Sequence, residues 1–292
     1  MSSAELPAPY GSGIEKPASA SASPVPLSPR KIRLHHLQQA KDEGRKFAIL
    51  TAYDQYSAQI FDEAGIETLL VGDSAANNVY GYDTTIPVTV DELLPLCRAV
   101  ARSARRALVI ADLPFGSYQV SPEQAVATGV RFLKEGLVAA VKVEGSARLA
   151  PHIRALTDAG IPVVAHIGFT PQSEHALGGY RVQGRGDAGQ AVVDDAVALA
   201  EAGAFCVLME MVPADVAAAV DAAVSVPTVG IGAGSATTGQ VLVWQDMAGL
   251  RGGQVAKFVK QYADLRSALS DAAQQFGAEV RDGVFPGPEH SF

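Results

Sequence analysis

The sequence predicts a single (β/α)8 barrel, a TIM barrel with an added N-terminal helix. Three observations lead there. Short apolar runs alternate with amphipathic helical stretches about eight times. Most of those runs are apolar throughout, as strands are when helices cover both faces of a parallel sheet. The part able to build a core, residues 31–292, is close in length to the ~250 residues typical of such a barrel. An open doubly wound sheet is the rival architecture. Strand count, length and the lack of a second domain favour closure.

Residues 1–30 are rich in Ser, Ala and Pro and poor in large apolar side chains, which predicts a disordered tail. A first helix is expected over 34–43, then a strand over Phe47–Thr51. Residues 53–64 read as a helix with Tyr56, Ile60, Phe61 and Ala64 on its apolar face, followed by strand Thr68–Val71. After a loop, Thr89 and Glu92 stand at capping-box spacing before a helix carrying Leu93, Leu94, Cys97 and Val100. Strand 108–111 comes next. Ser121-Pro122 then starts a helix, with Ser as cap and Pro at the first helical position. A strand over 139–143, a helix over 147–159 and a strand over 162–165 follow. The stretch 167–188 is long for a loop in a compact domain, which marks a functional lid or wall. Beyond it lie a helix over 190–202, a strand over 205–209, helix Ala214–Ala223 and strand Thr228–Ile231. The eighth strand is placed within 241–247 and the last helix over 255–276.

Composition limits the function. A 48% hydrophobic and 18% charged chain suits a soluble protein with a sizeable core. The net charge of −8 argues against a nucleic-acid partner, which calls for a basic face. It does not argue against a small anion, because a bound metal reverses local charge. Cys97 and Cys206 form no C-x-x-C and read as reduced structural thiols. No apolar run nears the ~18 residues of a membrane span, and the N-terminus lacks a secretory layout, so a cytoplasmic location is expected.

The polar residues at strand ends carry the chemistry. Asp73, Asp112 and Glu144 follow three consecutive strands, and neighbouring strands lie about 4.8 Å apart, so the carboxylates can converge. Three such groups repel one another unless a divalent cation joins them, and an all-oxygen set suits Mg2+ better than Zn2+. Lys142 shares strand parity with Glu144. It either stabilises negative charge on a reacting oxygen or forms a salt bridge to a carboxylate. Glu210 ends a later strand and, if it is not a metal ligand, is the natural general base, since burial raises a carboxylate toward neutrality. His166 reads equally as an acid, a substrate contact or a hydrogen-bonded core residue. Gly230-x-Gly232-x-Gly234 reads equally as a phosphate cradle or a tight turn on the barrel rim.

Several motifs occur in order: Thr51-Ala52-Tyr53-Asp54, Val71-Gly72-Asp73-Ser74, Asp83-Thr84-Thr85-Ile86-Pro87-Val88, Ala111-Asp112-Leu113-Pro114-Phe115, Val141-Lys142-Val143-Glu144-Gly145, His166-Ile167-Gly168-Phe169-Thr170-Pro171-Gln172 and the terminal Glu289-His290-Ser291-Phe292. Together they resemble the ketopantoate hydroxymethyltransferase family over nearly all of residues 31–292. The resemblance implies Mg2+-dependent transfer of a one-carbon unit from 5,10-methylenetetrahydrofolate to 3-methyl-2-oxobutanoate in pantothenate biosynthesis. It implies one Mg2+ per subunit on Asp73, Asp112 and Glu144. The oxo acid would contact Asp73, Ser74, Asp112 and Lys142, with Glu210 as proton acceptor, in a homo-oligomer of decamer type. Ser146, Thr238 and the pair Glu174-His175 depart from the family pattern and bear on folate affinity and loop behaviour. A lyase of the phosphoenolpyruvate mutase and isocitrate lyase type is a second reading, but no cysteine falls in a predicted mobile loop. A non-catalytic oxo-acid or folate binder is a third, and the presence of Glu210 weighs against it.

Overall fold

The computed structural model describes residues 30–292. The tail expected over 1–30 therefore lies, but for Arg30, outside the described residues. Eight parallel strands close into a barrel in sequence order: β1 Phe47–Thr51, β2 Thr68–Val71, β3 Leu108–Asp112, β4 Ala140–Glu144, β5 Val163–Gly168, β6 Cys206–Glu210, β7 Thr228–Ile231 and β8 Gly239–Leu242, which pairs back onto β1. The helices are α1 Leu34–Asp42, α2 Gln55–Glu63, α3 Val90–Ser103, α4 Pro122–Lys134, α5 Ala150–Asp158, a one-turn α6 Glu174–Leu177, α7 Gly189–Glu201, α8 Ala214–Ala223, a one-turn α9 Trp244–Met247 and α10 Leu265–Arg281. Among the described residues no helix is long and apolar enough to cross a membrane.

The two-residue period of the strands divides the core into two layers. Leu69, Val71, Val109, Ala111, Val141, Val143, Val163, Ala165, Val207 and Met209 face outward and pack under the helices. Phe47, Ile49, Leu70, Leu108, Ile110, Ala140, Val164, Cys206, Leu208, Val229 and Val241 fill the barrel, and Ile32, Leu37 and Ala40 plug its floor. Thus α1 exists to close the bottom, and polar chemistry is left to the top, where the strands end.

The capping expectations hold. Thr89 Oγ1 accepts from Glu92 N at 3.2 Å and Glu92 Oε2 accepts from Thr89 N at 2.8 Å, while Ser121 Oγ accepts from Gln124 N at 3.2 Å. Three expectations need correction. Helix α2 does not bury Tyr56 and Ile60, which are 68% and 61% exposed. Its inner face is Ser57, Ala58, Phe61 and Asp62, and the Asp62 carboxylate accepts from the backbone N–H groups of Arg105, Arg106 and Ala107 at 2.8, 3.0 and 2.6 Å. A buried carboxylate serving three amides is an inward polar position that apolar periodicity cannot register. The eighth strand begins at Gly239, and most of the stretch expected to hold it is α9. The last helix starts ten residues later than expected and runs on to Arg281.

Candidate active site

The inward positions of four neighbouring strands run from apolar at the floor to ionisable at the mouth. β3 carries Leu108, Ile110 and Asp112; β4 carries Ala140, Lys142 and Glu144; β5 carries Val164 and His166; β6 carries Cys206, Leu208 and Glu210. Register sets Asp112 beside Lys142, Glu144 beside His166 and Glu210 beside Gly168. Strand pairing alone therefore brings these side chains together.

Asp73 arrives differently. β2 ends at Val71, and Gly72 takes the next inward position. A Cβ on Gly72 would lie 2.7 Å from Ser74 Oγ and 3.3 Å from Asp112 Oδ2. Its absence lets the Asp112 carboxylate reach the backbone, where Oδ2 accepts from Asp73 N at 2.9 Å. The chain then turns, and Asp73, Asp112 and Glu144 each offer one carboxylate oxygen within 4.8 Å of the others. All three are buried, at 3%, 2% and 7% exposure.

The surrounding charges are close. Lys142 Nζ lies 3.1 Å from Asp112 Oδ1, 3.3 Å from Glu144 Oε1 and 3.0 Å from His166 Nδ1. The imidazole of His166 bridges two acids, with Nδ1 3.2 Å from Glu144 Oε1 and Nε2 a longer 3.4 Å from Glu210 Oε2. Burial pushes Asp73 well above the ordinary carboxylate range, and the Glu144 and Asp112 charges push it further. Burial also raises Asp112, against the pull of Lys142. For Glu144 burial is outweighed by Lys142 and His166, which hold it at about 2. Burial and Lys142 would lower His166, but Glu144 and Glu210 hold it up at about 9. Lys142, buried yet faced by three carboxylates, is raised.

Ser74 Oγ lies 2.8 Å from the hydroxyl of buried Tyr53, beside Asp73. Every residue singled out at the strand ends thus converges on one mouth. Both alternatives for Lys142 describe the same atom, since its salt bridges fix the ammonium next to the triad. His166 is buried and lies between Glu144 and Glu210, a placement that a hydrogen-bonded core residue and an acid share. Gly232 and Gly234 turn left-handed and pack against Phe258 and Ala214, which favours the tight-turn reading. Cys97 lies within α3 and Cys206 at the barrel floor, both buried and free.

Two site residues were not singled out from sequence. Gln172 follows the end of β5 in the long loop, and its side-chain amide donates to Asp73 Oδ2 at 2.9 Å. Tyr118, in the loop after β3, donates to Gln172 Oε1 at 2.7 Å. The position of Gln172 just past an ionisable strand end, inside a loop too long to be padding, was the available signal. Tyr118 had none.

The donor set fits a hard divalent cation. Its ligands are oxygens only, and three buried carboxylates face one lysine and one histidine, leaving negative charge to neutralise. Among the described residues, Asp112 Oδ1 is buried and meets only the Lys142 ammonium, at 3.1 Å.

The family model described as ketopantoate hydroxymethyltransferase matches residues 31–288. A 3-methyl-2-oxobutanoate hydroxymethyltransferase of Arthrobacter sp. (strain FB24) is 74% identical, covering 99% of this chain and 96% of its own. One of Mycobacterium bovis is 62% identical over 90% of this chain and 93% of its own. Among solved structures, phosphonopyruvate hydrolase in complex with oxalate and Mg++ superposes with a TM-score of 0.58 at 18% identity, covering 89% of this chain and 93% of that one. A 2,3-dimethylmalate lyase of the PEP mutase/isocitrate lyase superfamily gives 0.55 at 17%, covering 89% and 91%. These two share the fold.

Proposed function

The chain belongs to the ketopantoate hydroxymethyltransferase family, and we propose that it transfers a hydroxymethyl unit to 3-methyl-2-oxobutanoate, giving 2-dehydropantoate. The one-carbon donor in this reading is 5,10-methylenetetrahydrofolate, which supplies the methylene carbon while water supplies the hydroxyl oxygen. The observation that carries it is the convergence of Asp73, Asp112 and Glu144 with Lys142, and of Glu210 tied to the same cluster through His166.

Asp73, Asp112 and Glu144 would hold one Mg2+. Bound there, Mg2+ would polarise the keto group of the oxo acid and make its C3 proton more acidic. Asp73, Ser74, Asp112 and Lys142 line the place for that oxo acid. The Lys142 ammonium, fixed by Asp112 and Glu144, sets positive charge where the enolate oxygen gains negative charge. Glu210 takes the C3 proton onto its carboxylate, and His166, held between Glu144 and Glu210, keeps that carboxylate aimed. Water releases the methylene carbon as formaldehyde, both its C–N bonds breaking and tetrahydrofolate leaving, and the enolate carbon bonds to that carbon as the carbonyl oxygen takes a proton to become the new hydroxyl.

Replacing Glu210 with Gln keeps the shape and removes the base. Deuterium exchange at C3 of the oxo acid should then stop while Mg2+ and oxo-acid binding persist. Exchange at the wild-type rate would reject Glu210 as the base.

A homo-oligomer, of decamer type by family resemblance, completes the proposal. Its support is α10, which has no buried residue and presents Leu269, Phe276 and Val280 at 53%, 57% and 47% exposure along one side. A stripe of that length on a monomer is an unmet apolar surface.

A further inference from the structure

Gln172 touches two of the three acids through two different parts of itself. Its backbone N–H donates to Glu144 Oε2 at 3.0 Å. Its side-chain NH2 donates to Asp73 Oδ2 at 2.9 Å and to the Leu113 carbonyl at 3.0 Å. Its Oε1 accepts from Tyr118 Oη at 2.7 Å and from Gln119 Nε2 at 3.1 Å. Both amide hydrogens and both oxygen lone pairs are engaged, so the amide has one orientation: two acceptors on one side, two donors on the other. Residue 172 is 5% exposed and Tyr118 fully buried.

The consequence lies in which oxygens remain. Asp73 Oδ2 is taken by the Gln172 amide, Glu144 Oε2 by the Gln172 backbone, and Asp112 Oδ2 by the Asp73 backbone. Each carboxylate has one oxygen fixed by an N–H donor. Glu144 Oε1 and Asp112 Oδ1 are the two that face Lys142.

We propose that Gln172, held in one orientation by Tyr118, is a positioning residue that presents Asp73 and Glu144 to a divalent cation through one oxygen each and so sets the site's cation affinity. The proposal rests on the triad being the cation site. Carboxylates free to rotate would spend part of their binding on ordering and could chelate with both oxygens. Carboxylates held from behind bind at lower cost and in one arrangement. Gln172 also ties the loop after β5 to the ends of β2, β3 and β4, so loop and triad order together.

The test measures Mn2+ binding by the loss of the free-ion electron paramagnetic resonance signal, with Mg2+ read by competition, on the full-length protein without substrate. Wild type and Asp73→Asn calibrate the site. Gln172→Met keeps length and removes the side-chain hydrogen bonds, and should bind Mn2+ about 10- to 100-fold more weakly, the usual cost of losing an outer-shell partner. Tyr118→Phe keeps the ring packing but removes the hydroxyl that donates to Gln172 Oε1 and accepts from the Glu144 backbone N–H at 3.0 Å, and should weaken binding at least about 3- to 10-fold, the equivalent of one neutral hydrogen bond or more. Stoichiometry separates positioning from folding. A positioning role raises Kd at one ion per chain; a merely structural role lowers the number of sites and leaves their Kd unchanged. Wild-type Kd in Gln172→Met, or lost stoichiometry at unchanged Kd, overturns the proposal. Should Gln172→Met not fold, wild-type Kd in Tyr118→Phe overturns it. Equal Mn2+ binding by wild type and Asp73→Asn would instead reject the triad as the cation site.

Discussion

Replacing Asp73 with Asn should stabilise the metal-free protein and abolish its response to Mg2+. At the 4.8 Å span of the triad, two like charges repel by about 3.5 kcal/mol at an effective dielectric constant of ~20. Asp73 takes part in two such pairs, and attraction to the one lysine returns roughly one of them. Asn keeps an oxygen to accept from Gln172, losing only the charge assistance of that bond, about 1 kcal/mol. The balance favours Asn by about 2 kcal/mol, which in a chain of this size raises the melting temperature by roughly 4–8 °C. Because burial and its two acidic neighbours shift Asp73 upward, the repulsion grows as pH rises, and the comparison is best made on the alkaline side. Mg2+ at about a hundred times its Kd should add about 2.7 kcal/mol to wild type, or roughly 5–11 °C, and far less to the variant. Scanning calorimetry in EDTA and in Mg2+ reads both arms. A metal-free variant melting several degrees below wild type, with the Mg2+ response intact, would refute the reasoning and make Asp73 a structural acceptor for Gln172.

The pH dependence of the metal-free protein follows from two opposite shifts. Glu144, held down at about 2, contributes stability that is present above its ordinary value near 4.5 and lost as pH falls toward 2. His166, held up at about 9, contributes stability that is present below about 6.5 and lost as pH rises through 9. Melting temperature should thus fall toward acid through Glu144 and toward alkali through His166, with Asp73 and Asp112, also shifted upward, acting in the same sense as His166; His166→Gln should reduce the alkaline limb, and an unchanged limb in that variant would remove His166 as a cause. Light scattering behind a sizing column reads the assembly: a mass of many subunits is expected, falling when Leu269 and Phe276 are both changed to Ser, whereas a monomeric wild type would refute the homo-oligomer.

What was legible in the sequence is what strand geometry repeats. Asp112, Lys142, Glu144, His166 and Glu210 could be placed because each stands at the polar end of an apolar strand, and parity carries the inward direction from one residue to the next. Contacts between distant segments were not legible. The hydrogen bond from Gln172 to Asp73 spans 99 positions, and no local period encodes it. Helix α2 misled for a related reason: burial of Asp62 is decided by three amides near residue 106, while Tyr56 and Ile60 remain outside the core. The eighth strand was misplaced because it starts on Gly239 and Gln240, with only Val241 and Leu242 to signal it, and pairs of apolar residues are too short to reveal a period.

Asp73 was placed by its position past a strand end and not by parity, and it shows how the site is assembled. By period, the inward position after Leu70 is Gly72, which has no side chain to offer. A carboxylate there would have stood in line with Asp112 and Glu144, one more rung on the strand ends. Instead Gly72 opens room for Asp112, whose carboxylate uses the Asp73 backbone N–H, while the Asp73 side chain comes from the turn and is caught by Gln172. The third carboxylate therefore depends on the first loop residue past β2 and on a loop past β5, not on the barrel alone. Substitutions that loosen either loop should weaken cation binding while leaving the barrel and the Lys142–Glu144 pair in place, because those two are set by register within β4.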